Sequence, residues 1–204
     1  MSTPEQHYWE RNAQRYDRAT LMLNRRFSEM AGAVADAVQT EGTVLEIAAG
    51  TGLVTAEAAP GVERYIATDR TEEMLTILRG RLGELPNLEV RVADALDLKL
   101  DDESVDVVIM ANLLHLLPDP TAALAEVRRV LRPQGRLLAP TFCHGQHALA
   151  NVASRVLAVT GFPVVTRFRD GALDALIAGS GFVISDARWF SGVLPIRYIN
   201  AHRR

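Results

Sequence analysis

The chain has 204 residues, 48% of them hydrophobic and 23% charged, with a formal net charge of -3. That length suits one α/β domain, and the slightly acidic balance leaves no electrostatic footprint for nucleic acid. The single cysteine, Cys143, excludes an internal disulfide and fits a reducing cytoplasm, while no run reaches the roughly 18 apolar residues a membrane span needs.

In chain order, the polar start MSTPEQHYWERN lacks the apolar stretch of a signal peptide. Helices are expected over 5–18 and 21–39; in the second, Leu23, Phe27, Met30, Val34 and Val38 recur at intervals of three and four and form one apolar stripe. Arg25-Arg26 beside that stripe suits either a docked helix or contact with an anionic membrane surface. Strands are then expected at Thr43–Ile47, Arg64–Thr68, Leu88–Val92, Val105–Met110, Gly135–Thr141, Val183–Trp189 and Leu194–Ile199. Helical spacing fills 52–60, 71–82, 121–131, 146–160 and 170–179, and Arg-Pro-Gln-Gly at 132–135 stops the helix before it. No linker or repeat divides the chain. The expectation is a single domain over 1–204, with a helical lid at 1–40, a core at 41–141, and a substrate-side lid with the final strands at 142–204.

Near-continuous apolar strands separated by helices imply an α/β doubly wound, mainly parallel sheet with helices on both faces. Such sheets bind ligands beyond the carboxyl ends of their strands. Acids recur there. Glu46 stands beside the Gly50-Thr51-Gly52 turn, Asp69 with Arg70 follows the second strand, and Asp94 follows the third. Asn112 and Leu113 follow the fourth and, with Ala48, Thr51 and Arg70, are expected among the cofactor contacts. A dinucleotide would set its pyrophosphate on the glycine turn, where Glu46 repels it, and Thr55 stands where that fingerprint wants Gly or Ala. A cationic, phosphate-free adenosine compound has the opposite needs. S-adenosylmethionine would place its ammonium near Glu46, its ribose hydroxyls on Asp69 and its adenine amino group on Asp94, while the glycine turn lets backbone approach the methionine end.

The ordered motifs VLEIAAGTGLVT, ATDRTEEML, VADALDL, VDVVIMANLLHLLPDP and VRRVLRPQGRLLAPTF resemble class I S-adenosylmethionine-dependent methyltransferases. The likeness is to the small type 11 branch that includes quinone-biosynthesis enzymes, and it covers residues 8–141 well. It implies a seven-stranded sheet whose last strand runs antiparallel. It also implies that Met74 lies against the adenine with Ala95 and Leu96 opposite, and that Tyr8, Trp9 and Tyr16 roof the cofactor, Tyr8 and Trp9 also touching substrate. Where the family has its usual first loop glycine stands Ala48, which a negative φ accommodates.

Methyl transfer from a sulfonium to an O, N or S nucleophile of a small molecule needs mainly alignment and water exclusion. Where a proton must leave, His115 and His144, both after strands on the ligand edge, are the candidate bases and substrate contacts. Arg167 and Arg169 are candidates for an anionic substrate group, with surface solvation the plainer account. His144 and His147 lack further ligands, so no metal is expected. Three other readings stand beside this one: N-methylation of an amine phospholipid headgroup by peripheral membrane contact, a non-catalytic S-adenosylmethionine-binding subunit, and a nicotinamide-dependent oxidoreductase. The methyl acceptor and the oligomeric state are not legible.

Overall fold

The computed structural model describes residues 26–143, 165–169, 171–192 and 194–204. Helix α1 (Arg26–Val38) buries Phe27, Met30, Ala31, Val34 and Val38, the stripe expected from their spacing. Then follow β1 (Thr43–Ile47), α2 (Leu53–Ala58), β2 (Arg64–Asp69), α3 (Glu72–Leu82), β3 (Leu88–Val92) and β4 (Val105–Ile109). Helix α4 (Pro120–Val130) precedes β5 (Leu131–Leu138) and β6 (Thr141–Phe142), and the chain closes with α5 (Ala172–Gly179), β7 (Phe182–Phe190) and β8 (Ile196–Arg203). The start of α4 is chemically marked. Asp119 Oδ1 accepts from Ala122 N at 3.0 Å, with Pro120 in the first turn; such a cap contributes about 1 kcal/mol.

The sheet runs β3-β2-β1-β4-β5-β8-β6, with β7 on the other side of β8. Pairs among β1 to β5 are parallel; β8 lies antiparallel to β5, β6 and β7. Strands β5 and β6 are physically one. Arg136 pairs His202 and Leu138 pairs Asn200, and the same register continues through Thr141 with Arg197 and Phe142 with Ile196. The break falls at Ala139-Pro140, where proline has no N–H to give, although Ala139 N still donates to Ile199 O at 2.9 Å. Counted so, the sheet has the expected seven strands, with the last antiparallel.

Alternate residues of each strand feed opposite cores, which is why the strands read as unbroken apolar runs. Val44 and Val107 face the α1–α3 side with Tyr65 and Leu75. Leu45 and Val108 face the α4–α5 side with Leu124 and Ile177. Glu46 shares the parity of Val44, so its carboxylate enters the first core.

The largest departures from the expected strand boundaries are at β5 and β8. Strand β5 begins at Leu131, directly after α4, because residues 132–135 loop out of the ladder: Val105 pairs Leu131, but Val107 pairs Arg136. Gln134 sits at φ 65 there. Strand β8 begins at Ile196 and runs on to Arg203 through polar residues, because it is enclosed between β5 and β7, and pairing on both edges overrides weak local propensity. The expected helices 5–18 and 146–160 lie outside the described residues.

Candidate functional site

The ends of β1 to β4 open into one cavity of about 1030 Å³, counting its solvent-open mouth. The β1–α2 loop forms its floor. Ala48, Gly50 and Gly52 take φ of 56, 57 and 82, a left-handed sequence that lets the loop fold back on the sheet. The negative φ that would accommodate Ala48 is not what it takes: at φ 56 its methyl group is carried in a conformation that costs an L-residue about 1–2 kcal/mol. Gly50 is needed for its backbone alone, since an added Cβ would meet open space. Gly52 is needed twice, for its φ and because a Cβ would stand 2.8 Å from Leu78 Cγ. Gly50 and Thr51 line the cavity; Gly52 sits behind them against α3.

Asp69, at the end of β2, ties this loop to the next. Its Oδ2 accepts from Gly50 N at 2.9 Å and its Oδ1 from Thr71 N at 2.8 Å. Burial pushes its pKa up, and the two N–H donors and neighbouring Arg70 pull against that. Sequence reasoning gave Asp69 to a ligand alone. It first holds the loop, and the carboxylate lines the cavity as well.

Glu46 does not follow β1 but lies within it and is 1% exposed. Thr55 Oγ1 donates to its Oε2 at 2.5 Å and Tyr65 Oη donates to the same oxygen at 2.8 Å. Burial raises its pKa to about 7, against the pull of both hydroxyls, and Asp69 adds to the rise. The same burial and the adjacent carboxylate push the Tyr65 hydroxyl well up, so tyrosine remains the donor. Asp94 lines the cavity from the end of β3, where its Oδ1 accepts from Leu96 N at 2.9 Å.

Met74 and Ala95 line the cavity together with Arg70, as expected. Leu96 is not part of the lining; its side chain is 46% exposed, and only its backbone serves the site, through Asp94. Beyond β4 the wall is Ala111, Asn112, Leu113, Leu116, Leu117 and Pro118. His115 is not brought to it. The ring is 1% exposed and stands edge-on to Phe142 at 6.1 Å, while its carbonyl accepts from Val165 N and Thr166 N. In the turns after β4, Leu113 and Leu116 line the cavity while Leu114 and His115 between them are buried away from it. Arg167 and Arg169 are exposed and lie outside the lining. Tyr8, Trp9, Tyr16, His144 and His147 lie outside the described residues. Sequence reasoning missed Phe27, Thr71 and the Leu116-Leu117-Pro118 turn. Phe27 carried a signal only as one member of the α1 stripe, read there as core. Among the described residues no group of three or more His, Cys, Asp or Glu side chains is placed to hold a metal ion, and no helix is long and apolar enough to cross a membrane.

Residues 45–139 match the family model described as a methyltransferase domain. Over 94 residues the chain is 42% identical to an uncharacterised methyltransferase of Mycobacterium bovis, spanning 46% of this chain and 37% of that protein. It is 40% identical over 112 residues to the ubiquinone/menaquinone biosynthesis C-methyltransferase UbiE of Acidiphilium cryptum, 53% of this chain and 45% of that one. The chain thus spans less than half the length of these curated relatives. Among solved structures, a Haloferax volcanii methyltransferase in complex with the Trm112 methyltransferase activator matches with a TM-score of 0.81 at 17% identity, covering 100% of both chains. The resemblance read from the motifs and the fold class is borne out.

Proposed function

With residues 45–139 a methyltransferase domain, we propose that this chain binds S-adenosylmethionine in the cavity and transfers its methyl group to a small molecule. The observation that carries this reading is the row of three acids, Glu46, Asp69 and Asp94, lining one cavity from three adjacent strands. A pyrophosphate fits poorly over a carboxylate; a sulfonium with an ammonium fits well. The left-handed turn at Gly50, open above its Cα, fits as the cradle for the ligand's amino-acid end.

In this reading Glu46, with both hydroxyl donors on Oε2, meets the ammonium through its other oxygen. Asp69, with one lone pair on each oxygen committed to the loop, uses the remaining pairs on the ribose hydroxyls. Asp94 accepts from the adenine edge, and Met74 and Ala95 clasp the ring. Thr51 and Arg70 complete this side, and Leu113 stands across the cavity. The bound compound supplies an electrophilic methyl group with a neutral leaving sulfur. The chain's own residues supply position and exclude water, as Ile47, Leu53, Val54 and Phe27 do by walling the floor. Helix α1 buries its apolar stripe in the domain and Arg26 pairs with Glu29 on the surface. That stripe is therefore not free for a lipid surface, which favours a small-molecule acceptor over a phospholipid headgroup.

Calorimetry tests this. The chain should bind S-adenosylhomocysteine and S-adenosylmethionine and ignore NAD, and labelled methyl groups should appear in a product when cell extract is added. NAD binding without S-adenosylhomocysteine binding would overturn the reading. Tight cofactor binding with no labelled product would leave a binding subunit.

A further inference from the structure

Asn112 is the exception on the β4 side of the cavity. Its neighbours in that wall, Ala111, Leu113, Leu116, Leu117 and Pro118, are all apolar. It is 6% exposed and sits at φ 54, a conformation asparagine tolerates better than most residues. Its backbone N–H donates to Pro140 O at 2.7 Å, and its Oδ1 accepts from Phe142 N at 3.1 Å. These two bonds brace the end of β4 against the Ala139-Pro140 break between β5 and β6. They also fix the amide's orientation, because a backbone N–H can face only the oxygen. Nδ2 is therefore turned away from Phe142, and it is buried with no hydrogen-bond partner. Buried donors are rarely left so, and one in the wall of a ligand cavity calls for an acceptor carried by the ligand.

The sequence had grouped Asn112 with the cofactor contacts. The order of strands argues otherwise. Sheet order places β3, β2, β1 and β4 side by side, and the acids assign adenine, ribose and amino-acid end to the first three in turn. The β4 end is the next place along, where the acceptor must lie, and none of the described side chains lining it is titratable.

We infer that Asn112 is a substrate-specificity residue whose amide nitrogen donates to an oxygen of the methyl acceptor, and that the acceptor is an apolar molecule bearing a carbonyl or phenolic oxygen. The inference rests on the cofactor assignment above. An ammonium substrate finds no carboxylate among the described side chains of this wall, and a plain hydrocarbon leaves the amide nitrogen unsatisfied.

The test uses the full chain saturated with S-adenosylhomocysteine and two probes of one shape, 2-naphthol and naphthalene, titrated by calorimetry. The wild-type complex should prefer 2-naphthol by about tenfold or more, the scale of one buried hydrogen bond. Asn112→Asp keeps the oxygen that Phe142 needs and replaces the donor by a second acceptor. It should weaken 2-naphthol by about tenfold or more while leaving naphthalene and S-adenosylhomocysteine within about threefold. Equal affinity of the wild-type complex for both probes, or no binding of 2-naphthol, overturns the inference without any variant. An equal loss of both probes in Asn112→Asp overturns it too. A selective loss of S-adenosylhomocysteine would return the amide to the cofactor. Failure of the wild-type chain to bind S-adenosylhomocysteine shows in the first titration, and it removes the proposed function itself.

Discussion

The two halves of the cavity are built on opposite principles. The half made by β1, β2 and β3 carries three carboxylates that also serve the fold: Asp69 laces two loops, Glu46 accepts from two core hydroxyls, and Asp94 turns the chain after β3. The half made beyond β4 is apolar, with one neutral amide. On the proposed reading the first half holds the cofactor, common to a family of reactions, and the second meets the substrate, which differs between them. A binding site thus separates charge that recognises a constant partner from shape and a single donor that recognise a variable one.

The contrast is most exposed at Asp69. Asp69→Ala removes the acceptor of two backbone N–H groups along with any ligand contact, so S-adenosylhomocysteine affinity should fall at least about tenfold and thermal stability by about 2 kcal/mol. Unchanged affinity by calorimetry would break the assignment of the acid-bearing half.

Glu46 comes next, through pH. Its carboxyl titrates at about 7 in the folded chain against an ordinary value of 4.5. The folded state therefore holds this proton more tightly. The stability so gained is fully present below pH 4.5 and is lost as pH rises through 7, a change of about 3 kcal/mol. Glu46→Gln should flatten that decline in denaturant titrations, leaving the variant more stable than wild type at pH 8. Only the ionised carboxylate attracts a cation. Wild-type affinity for S-adenosylmethionine should therefore gain relative to Glu46→Gln between pH 6 and 8, by up to about tenfold. A parallel pH profile for both proteins would detach Glu46 from the ligand.

A smaller effect is expected at Asp94, which is exposed and whose Oδ1 already serves Leu96. Asp94→Asn should weaken S-adenosylhomocysteine by about threefold to tenfold, since the hydrogen bond is open to water. The smallest concerns Ala48. Ala48→Gly relieves a left-handed alanine but adds freedom to the unfolded chain, so the net gain should be about 1 kcal/mol in thermal unfolding. A loss of stability would show that the methyl group packs usefully against the α4 side, where it lies next to that core.

The two halves also differed in how far the sequence disclosed them. Strand ends with acids were legible because an unpaired carboxylate next to a buried strand is costly and demands a reason. What the carboxylates do inside the protein was not legible. Nothing local to Glu46 announces Thr55 and Tyr65, which arrive from α2 and β2. His115 looked like chemistry because it follows a strand, but which residues of the turns after that strand line the cavity is a tertiary outcome that local spacing does not reveal. Asn112 itself carried no sequence signal as a donor, since its meaning comes from Phe142, thirty positions on, taking its oxygen. In the sheet, short apolar runs gave strands β1 to β4 almost to the residue, whereas β8 was cut short because its polar second half is held by partners on both edges.

That position of β8 bears on how the chain is made. The acid-bearing half of the cavity draws on strands within 43–92, and β4 joins by residue 109, so these can pair while the rest is still being synthesised. Strands β5 and β7 wait with open edges until residues 196–203 emerge to lie between them. Synthesis proceeds at about 5–20 residues per second, so β5 is made several seconds before residues 196–203, the strand that pairs its free edge and joins it to β7.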